Sequence, residues 1–315
     1  MKPLKYLFIS SMLFVATSCG NSWLDLEPST SVDTETSIKI LSDVEFTLNG
    51  IYSTMQSSDA YSGRLVYYGD VTGDDMQAVS STKRVANYYR FNFTKDDNPS
   101  SHWSYLYSII QNCNLILMNI DKLVIDEDDK AYRDDLKGEA LAIRGLALFD
   151  LTRIFGYPYL KDNGASLGVP IIEGLSTIDS KPTRNTVAQC YTKIIDDLTQ
   201  SLSLLGEKFN KGKINKWGAM VLLSRVYLYK GENANALKMA SDAIIGAEKN
   251  KYALWTNEDY PTAWGEDASA SKPGEVLFEI VNLTTDSPGK ESMGYLNSYD
   301  GYDDMCITCS FYQFL

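Results

Sequence analysis

Residues 132–155 carry the sequence feature that most narrows the possible folds, a long helical pattern with one apolar face. Its apolar residues recur at spacings of three and four: Leu136, Ala140, Ile143, Ala147, Leu148, Leu151 and Ile154. Gly156 and Pro158 follow directly, and both residue types end helices. A helix of this length needs neighbouring elements that cover its apolar face.

The same periodicity occurs at residues 38–57, 103–123, 186–205, 215–231 and 232–247. Regular helical segments therefore recur along most of the chain, with few strands among them. The pattern predicts a mostly α architecture with loop-rich insertions and few short strands.

One segment, residues 275–283 (EVLFEIVNL), is predicted to be a β-strand because branched and aromatic residues are frequent in it.

The last two helical segments form a pair that resembles a tetratricopeptide repeat. Ser224, Ala236 and Ala240 are small residues at the repeat's helix-crossing positions, and Tyr227 occupies an aromatic position. Any close pair of helices places small residues at its crossing, so chance similarity is the alternative. The other helices favour a repeat-like stack, although they match the repeat poorly.

The chain begins with a pattern that is typical of export. Lys2 and Lys5 precede an uncharged apolar stretch at residues 6–17, which is too short to span a bilayer. The next residues, in "LFVATSCGN", resemble a bacterial lipobox, in which cleavage leaves a lipidated cysteine, here Cys19, at the new N-terminus. An ordinary signal peptide with an incidental cysteine is the alternative. We therefore expect a signal peptide at residues 1–18, a lipidated tether at 19–35 and a helical domain at 36–315.

The charge of the chain excludes some partners. A formal net charge of -12 disfavours nucleic acids and anionic lipid head groups, because both require a basic surface.

Six motifs in order resemble the SusD/RagB family of outer-membrane nutrient-binding lipoproteins. They are WLDLEPST, DVEFTLNGIYSTM, YYGDVTGDDM, WSYLYSIIQNCNLIL, GEALAIRGLALFDLTRIFGYPYL and RNTVAQCYTKIIDDL. The fifth is the most specific, and it includes Glu139 and Arg144. The resemblance implies a tetratricopeptide-like scaffold and a lipid-anchored location on the outer membrane, exposed at the cell surface. It also implies a SusC-like TonB-dependent transporter as partner and an oligosaccharide or peptide as ligand.

The C-terminal part of the family pattern, with its Asn- and Pro-rich helical segments, has no counterpart here. The last residues, "CSFYQFL", form an aromatic run without a polar tail. We expect this difference to leave apolar surface of the scaffold uncovered.

The sequence offers little support for catalysis, and we predict a protein that is not an enzyme. His102 is the single histidine of the chain, and no GxSxG or phosphate-loop motif is present. We predict that His102 lies at a helix entry, and that the acidic "GDVTGDD" forms a turn and not a calcium site. "CITC", at Cys306 and Cys309, has no second pair that would complete a zinc site, so we predict neither a metal nor a cofactor.

Two stretches combine aromatic rings with amides and charges, the mixture that a ligand site requires. The first contains Arg84, Asn87, Tyr88 and Tyr89. The second contains Trp255, Asn257, Tyr260 and Trp264, with possible help from three later tyrosines: Tyr295, Tyr299 and Tyr302. The alternative is that these rings fix irregular loops onto the scaffold.

Three functions are consistent with the sequence. The preferred one is a surface lipoprotein that captures nutrients, above all glycans, for a TonB-dependent transporter. A repeat scaffold for protein partners is the second, and a surface glycoside hydrolase, with a carboxylate pair such as Asp74 and Asp75, is a distant third.

Overall fold

The computed structural model describes residues 37–93, 100–177, 179–263, 274–283 and 285–314. Its larger helices are α1 (Leu41–Met55), α2 (Arg64–Thr72), α4 (Ser100–Asn119), α5 (Lys130–Phe155), α6 (Val187–Leu204), α7 (Lys216–Lys230) and α8 (Asn233–Lys249). Short helices are α3 (Ala86–Tyr89), α9 (Tyr260–Ala263), α10 (Met293–Asn297) and α11 (Cys309–Phe314). The strands are β1 (Met76–Ala78) and β2 (Met305–Ile307). The predicted mostly α fold with few short strands is confirmed.

The α4–α8 helices form the scaffold, and each packs on the next one along the chain. Helix α5 lies between α4 and α6, and most of its residues from Leu136 to Thr152 are buried. Local sequence fixes the ends of these helices. The Thr186 hydroxyl accepts the Gln189 N–H and caps α6, while Gly231 ends α7 at a φ of 84° that favours glycine.

Arg144 and Glu139 of the most specific motif stabilise the helical scaffold. Arg144 donates two hydrogen bonds to Asp197, of 2.8 and 2.6 Å, and a third of 2.8 Å to Asn114. Glu139 accepts a 2.6 Å hydrogen bond from the hydroxyl of Tyr52. Because these partners lie on α1, α4 and α6, the polar residues of α5 join four helices within the core.

The predicted repeat-like pair forms as α7 and α8. The Ser224 hydroxyl donates to the carbonyl of Ala236 across the pair, at 2.8 Å. A Cβ atom on Gly246 would lie 2.1 Å from the ring of Trp217, so this close contact requires glycine.

The strand predicted at residues 275–283 is wrong. Within the described residues this segment makes one isolated bridge, between Leu283 and Asp286, and no ladder. Its contacts are instead with helices: Gln56 donates a 2.5 Å hydrogen bond to the carbonyl of Val281, and Phe278 lies near Tyr52. The apolar residues of this segment pack on helices instead, and among the described residues no strand pairs with them.

Several sequence-based predictions concern residues outside the described part of the chain. They are the signal peptide, the lipidated tether with Cys19, and Trp264 of the second aromatic stretch. Among the helices that the structure describes, none combines the length and apolarity that a membrane span requires.

Candidate ligand-binding site

The pairing of β1 with β2 brings together two stretches that are more than two hundred residues apart. The strands are antiparallel, with Met76 opposite Ile307 and Ala78 opposite Met305. The Val79 N–H continues the pairing with a 3.2 Å hydrogen bond to the Asp304 carbonyl. As a result, the first aromatic stretch lies beside residues 291–305.

A buried apolar cluster lies under the surface that the first aromatic stretch forms with residues 291–305. Its buried members are Tyr67, Val71, Val85, Leu296 and Met305. Tyr88, Tyr89 and Tyr302 pack against the cluster and are half-buried. One side of each ring therefore packs on the buried cluster, and the other side reaches solvent.

Arg84 is the polar centre of this surface. Its guanidinium carbon lies 3.8 Å from the centre of the Tyr302 ring, a cation–π contact. Its Nη1 donates to both carboxylate oxygens of Glu291, at 3.3 and 3.2 Å, and its side chain remains 31% exposed. The Nε atom lies 3.9 Å from Oδ2 of buried Asp304, an oxygen without a hydrogen-bond partner among the described residues. We call Arg84, Glu291, Tyr295 and Tyr302 the arginine–tyrosine cluster.

The geometry changes the grouping that the sequence suggested. Tyr295 and Tyr302 were predicted to aid the second aromatic stretch, but Tyr302 stacks on Arg84 of the first. The rings of Tyr295 and Tyr302 meet edge to face, with centroids 5.1 Å apart and an interplanar angle of 85°. Strand pairing decides this grouping, because β2 places Tyr302 next to β1.

Tyr88 belongs to a neighbouring group of rings that the sequence analysis did not identify. It meets Tyr68 edge to face at 5.4 Å and lies 6.0 Å from Phe93. Phe91 packs edge to face on Phe93 at 6.1 Å and is 60% exposed. The signal for these residues was present in the unusual density of aromatic residues at 88–93, but Tyr68 joins them through the fold alone.

His102 lies beside the same rings, near Tyr68 and Tyr88. It is fully buried near the start of α4, as predicted, and its Nδ1 lies 2.9 Å from the Asp59 carbonyl oxygen. Burial lowers the pKa of His102 below its ordinary value, so its neutral form is favoured.

The second aromatic stretch is described in part. Trp255 and Tyr260 meet at 6.1 Å and 71°, and Tyr260 is 51% exposed. The backbone N–H of Trp255 donates a 3.0 Å hydrogen bond to the Glu275 carboxylate. A Cβ atom on Gly274 would lie 2.0 Å from the indole nitrogen, so the Trp255 ring is pressed onto this glycine. Asn257 is exposed nearby in sequence.

The acidic motif and the two cysteines of CITC lie at or next to the β1–β2 pair. Asp74 adopts a φ of 66° in the turn before β1, and its carbonyl accepts a 2.8 Å hydrogen bond from Thr308. Cys306 lies in β2, Cys309 begins α11, and both are free thiols. No group of three or more metal-ligating side chains occurs within the described ranges.

A large cavity of about 1030 Å³ was also missed by the sequence analysis. It lies between α2, α5 and α7, and its walls include Tyr68, Asp150, Arg225 and Asn282. No sequence pattern could have identified it, because its walls come from segments far apart in the chain.

Comparison with known proteins places these features in a family. A family model named SusD-like and described as starch-binding, associating with outer membrane, matches residues 22–228, more than half of the chain. A solved structure from Bacteroides vulgatus, provisionally described as a sugar binding protein, is 82% identical, with a TM-score of 0.86. That match covers 89% of this chain and 63% of the other.

Two further relatives agree. A SusD superfamily structure from Bacteroides vulgatus is 38% identical, with a TM-score of 0.82, over 88% of this chain and 63% of the other. SusD-like protein P2 of Formosa agariphila is 28% identical over 96% of this chain and 57% of its own length. The chain thus spans less than two thirds of each of these proteins. Together with the ordered motifs and the helical scaffold, these matches show that the chain belongs to the SusD/RagB family.

Proposed function

We propose that the protein is a glycan-binding lipoprotein that captures oligosaccharides at the bacterial surface for a TonB-dependent outer-membrane transporter. Family membership supports this proposal, since the matching family model is described as starch-binding and outer-membrane-associated. The description of the 82% identical Bacteroides vulgatus structure points the same way. A further solved structure, a SusD-like carbohydrate binding protein at 25% identity, adds a third indication.

The exposed arrangement of Arg84 on Tyr302 is the observation that supports a ligand site here. Sugar rings present C–H faces that pack on aromatic rings, and hydroxyls that accept from guanidinium or donate to carboxylate groups. The arginine–tyrosine cluster offers all three groups within one supported surface. Asn87, Tyr88 and Tyr89 extend the same proposed site along α3.

Binding measurements on variants test the site. Calorimetry with maltooligosaccharides first, and then a wider glycan and peptide panel, identifies a ligand of the parent protein. Tyr302→Ala and Arg84→Ala are each expected to weaken binding at least tenfold, about 1.4 kcal/mol. Tyr312→Ala removes a 70% exposed tyrosine outside the cluster and is expected to bind like the parent.

The possible outcomes separate the candidates. If both cluster variants bind like the parent while Trp255→Ala, Tyr260→Ala or Trp264→Ala loses affinity, the site lies in the second aromatic stretch. If the parent binds none of the panel, the scaffold function is favoured. Turnover of a glycan would support the hydrolase and contradict a purely binding role.

The anchor is a separate part of the proposal. We expect Cys19 to incorporate labelled palmitate in a bacterial host and Cys19→Ser to abolish both the label and membrane fractionation. Retention of label by Cys19→Ser would contradict lipidation at this residue. Co-purification of the labelled protein with a TonB-dependent transporter tests the partner.

A further inference from the structure

The arginine–tyrosine cluster is flanked by cationic side chains, although the chain as a whole has a formal net charge of -12. Arg84 lies over the Tyr302 ring. Lys83, the preceding residue, donates from Nζ to the Tyr302 carbonyl, and Lys290 Nζ lies 6.0 Å from the centre of the Tyr295 ring. Three cations therefore lie against one pair of tyrosines. A local concentration of positive charge attracts anionic groups of a ligand even on an acidic protein.

The hydrogen bonds that Arg84 makes with Glu291 are long. Both of them, at 3.3 and 3.2 Å, come from the single nitrogen Nη1. Within the described residues, Nη2 of Arg84 donates no hydrogen bond. By contrast, Arg144 uses Nε and Nη2 together on Asp197, at 2.8 and 2.6 Å. Such a two-nitrogen fork is the stronger geometry between a guanidinium and a carboxylate, and Arg84 does not form it with Glu291.

The guanidinium of Arg84 is held from its other sides. Its Nε faces buried Asp304 at 3.9 Å, and the group lies 3.8 Å above the centre of the Tyr302 ring. Glu291, in contrast, is 41% exposed and ends a short 3-10 turn at residues 289–291. Rotation of the Glu291 side chain toward solvent therefore frees Nη1 and Nη2 for another carboxylate, while Asp304 and Tyr302 keep the guanidinium in place.

We propose that the cluster binds oligosaccharides that carry a carboxylate, such as those built from uronic acids, and that this carboxylate replaces Glu291 on Arg84. Glu291 itself shows that a carboxylate fits against this guanidinium. Asp300 and Asp303, on either side of Tyr302 in sequence, oppose densely charged chains, so a carboxylated sugar is favoured over a heavily sulfated one. This inference rests on the proposed glycan-binding function and narrows its class of ligand.

Calorimetry with a matched pair of probes tests the class of ligand. Tetragalacturonic acid and its full methyl ester share one sugar backbone and differ in charge. We expect the protein to bind the acid about tenfold more tightly than the ester, because only the acid forms the fork with the guanidinium. Carrageenan oligosaccharides, which carry sulfate and no carboxylate, are expected to bind more weakly than the acid.

Variants of the arginine locate the contact. Arg84→Gln is expected to reduce the preference for the acid over the ester from about tenfold to about twofold or less. Arg133→Gln changes an ion-paired arginine of similar exposure on α5 and is expected to preserve the preference. Unchanged circular dichroism and thermal midpoints verify that both variants fold.

Variants of the glutamate test the replacement. Glu291→Gln removes the internal competitor and is expected to raise the affinity for the acid about two- to fivefold, without changing the affinity for the ester. Glu248→Gln makes the same change in net charge on α8 and is expected to change neither affinity.

The outcomes separate this inference from the proposed function. Equal affinity for the acid and the ester, or tighter binding of carrageenan, overturns the carboxylate ligand and leaves glycan binding intact. Weaker binding of the acid by Glu291→Gln also overturns the inference, since Glu291 would then contact the ligand itself. If the acid is not bound but a neutral glycan is, the inference fails and the proposed function stands. If no glycan is bound, both fail.

Discussion

Two arginine–carboxylate pairs in this protein use the same chemistry in opposite surroundings. Arg144 and Asp197 form a bidentate pair in the scaffold, where their side chains are 9% and 0% exposed. Arg84 and Glu291 form the pair of the arginine–tyrosine cluster, where the values are 31% and 41%. A buried charge must keep its partner, because water cannot replace it, whereas an exposed pair exchanges its partner at little cost. The first pair is thus suited to holding the fold and the second to meeting a ligand.

The largest expected effect comes from breaking the buried pair. Arg144→Ala removes the bidentate partner of buried Asp197, which keeps only Lys193 at 3.2 Å, and also removes the hydrogen bond to Asn114. We expect a loss of about 3–5 kcal/mol in the free energy of unfolding, measured by urea denaturation.

A double variant distinguishes the lost pair from lost packing. Arg144→Met with Asp197→Leu removes both charges together and is expected to recover much of the stability. A loss below about 1 kcal/mol for Arg144→Ala would show that this pair behaves like a surface pair.

The second largest expected effect is a pH-dependent change in stability that comes from Glu139, a buried carboxyl of the scaffold. Burial raises the pKa of Glu139 to about 7, against the lowering effects of the Tyr52 hydrogen bond and the charge of Lys213. The folded state therefore holds a proton that the unfolded chain releases near its ordinary pKa of 4.5. Between these two values the folded state binds more protons, so the contribution of Glu139 to stability falls as pH rises.

Glu139→Gln removes this titration while keeping an oxygen that accepts from Tyr52. We expect the variant to match the parent near pH 4.5 and to exceed its stability above pH 7 by up to about 3 kcal/mol. Urea denaturation at both pH values measures the difference. A difference between variant and parent that does not change with pH would contradict a raised pKa.

The smallest expected effect on stability comes from the exposed pair. Arg84→Ala is expected to lower the free energy of unfolding by about 1 kcal/mol or less, because the pair is exposed to solvent. The same variant is the one expected to lose glycan affinity, so it separates binding from folding. A loss of stability equal to that of Arg144→Ala would mean that the arginine–tyrosine cluster is part of the core.

The prediction of helices succeeded where periodicity was long and failed where elements were short. Helix α5 was predicted within two residues of each end, since its apolar stripe and the following Gly156 are local signals. Helix α2 and the strands β1 and β2 were not predicted. Strands of three residues carry almost no periodic signal, and each exists because the other lies beside it.

The candidate site was predicted in part for the same reason. Arg84, Tyr88 and Tyr89 are close in sequence and were recognised as one aromatic, charged stretch. Tyr302 was assigned to the wrong stretch, and Glu291 was missed. Their positions depend on a strand pairing between remote segments, which composition does not report.

The sequence by itself determined the helices of the scaffold, because a helix depends on neighbours three or four positions away. The order of the family motifs and the polar residues within α5 can also be read directly from the sequence. Tertiary structure decided which arginine is buried and which is exposed, which tyrosine lies under Arg84, and where the cavity opens. Such features arise between segments far apart in the chain, and their energies depend on burial and on partners that adjacent residues do not specify.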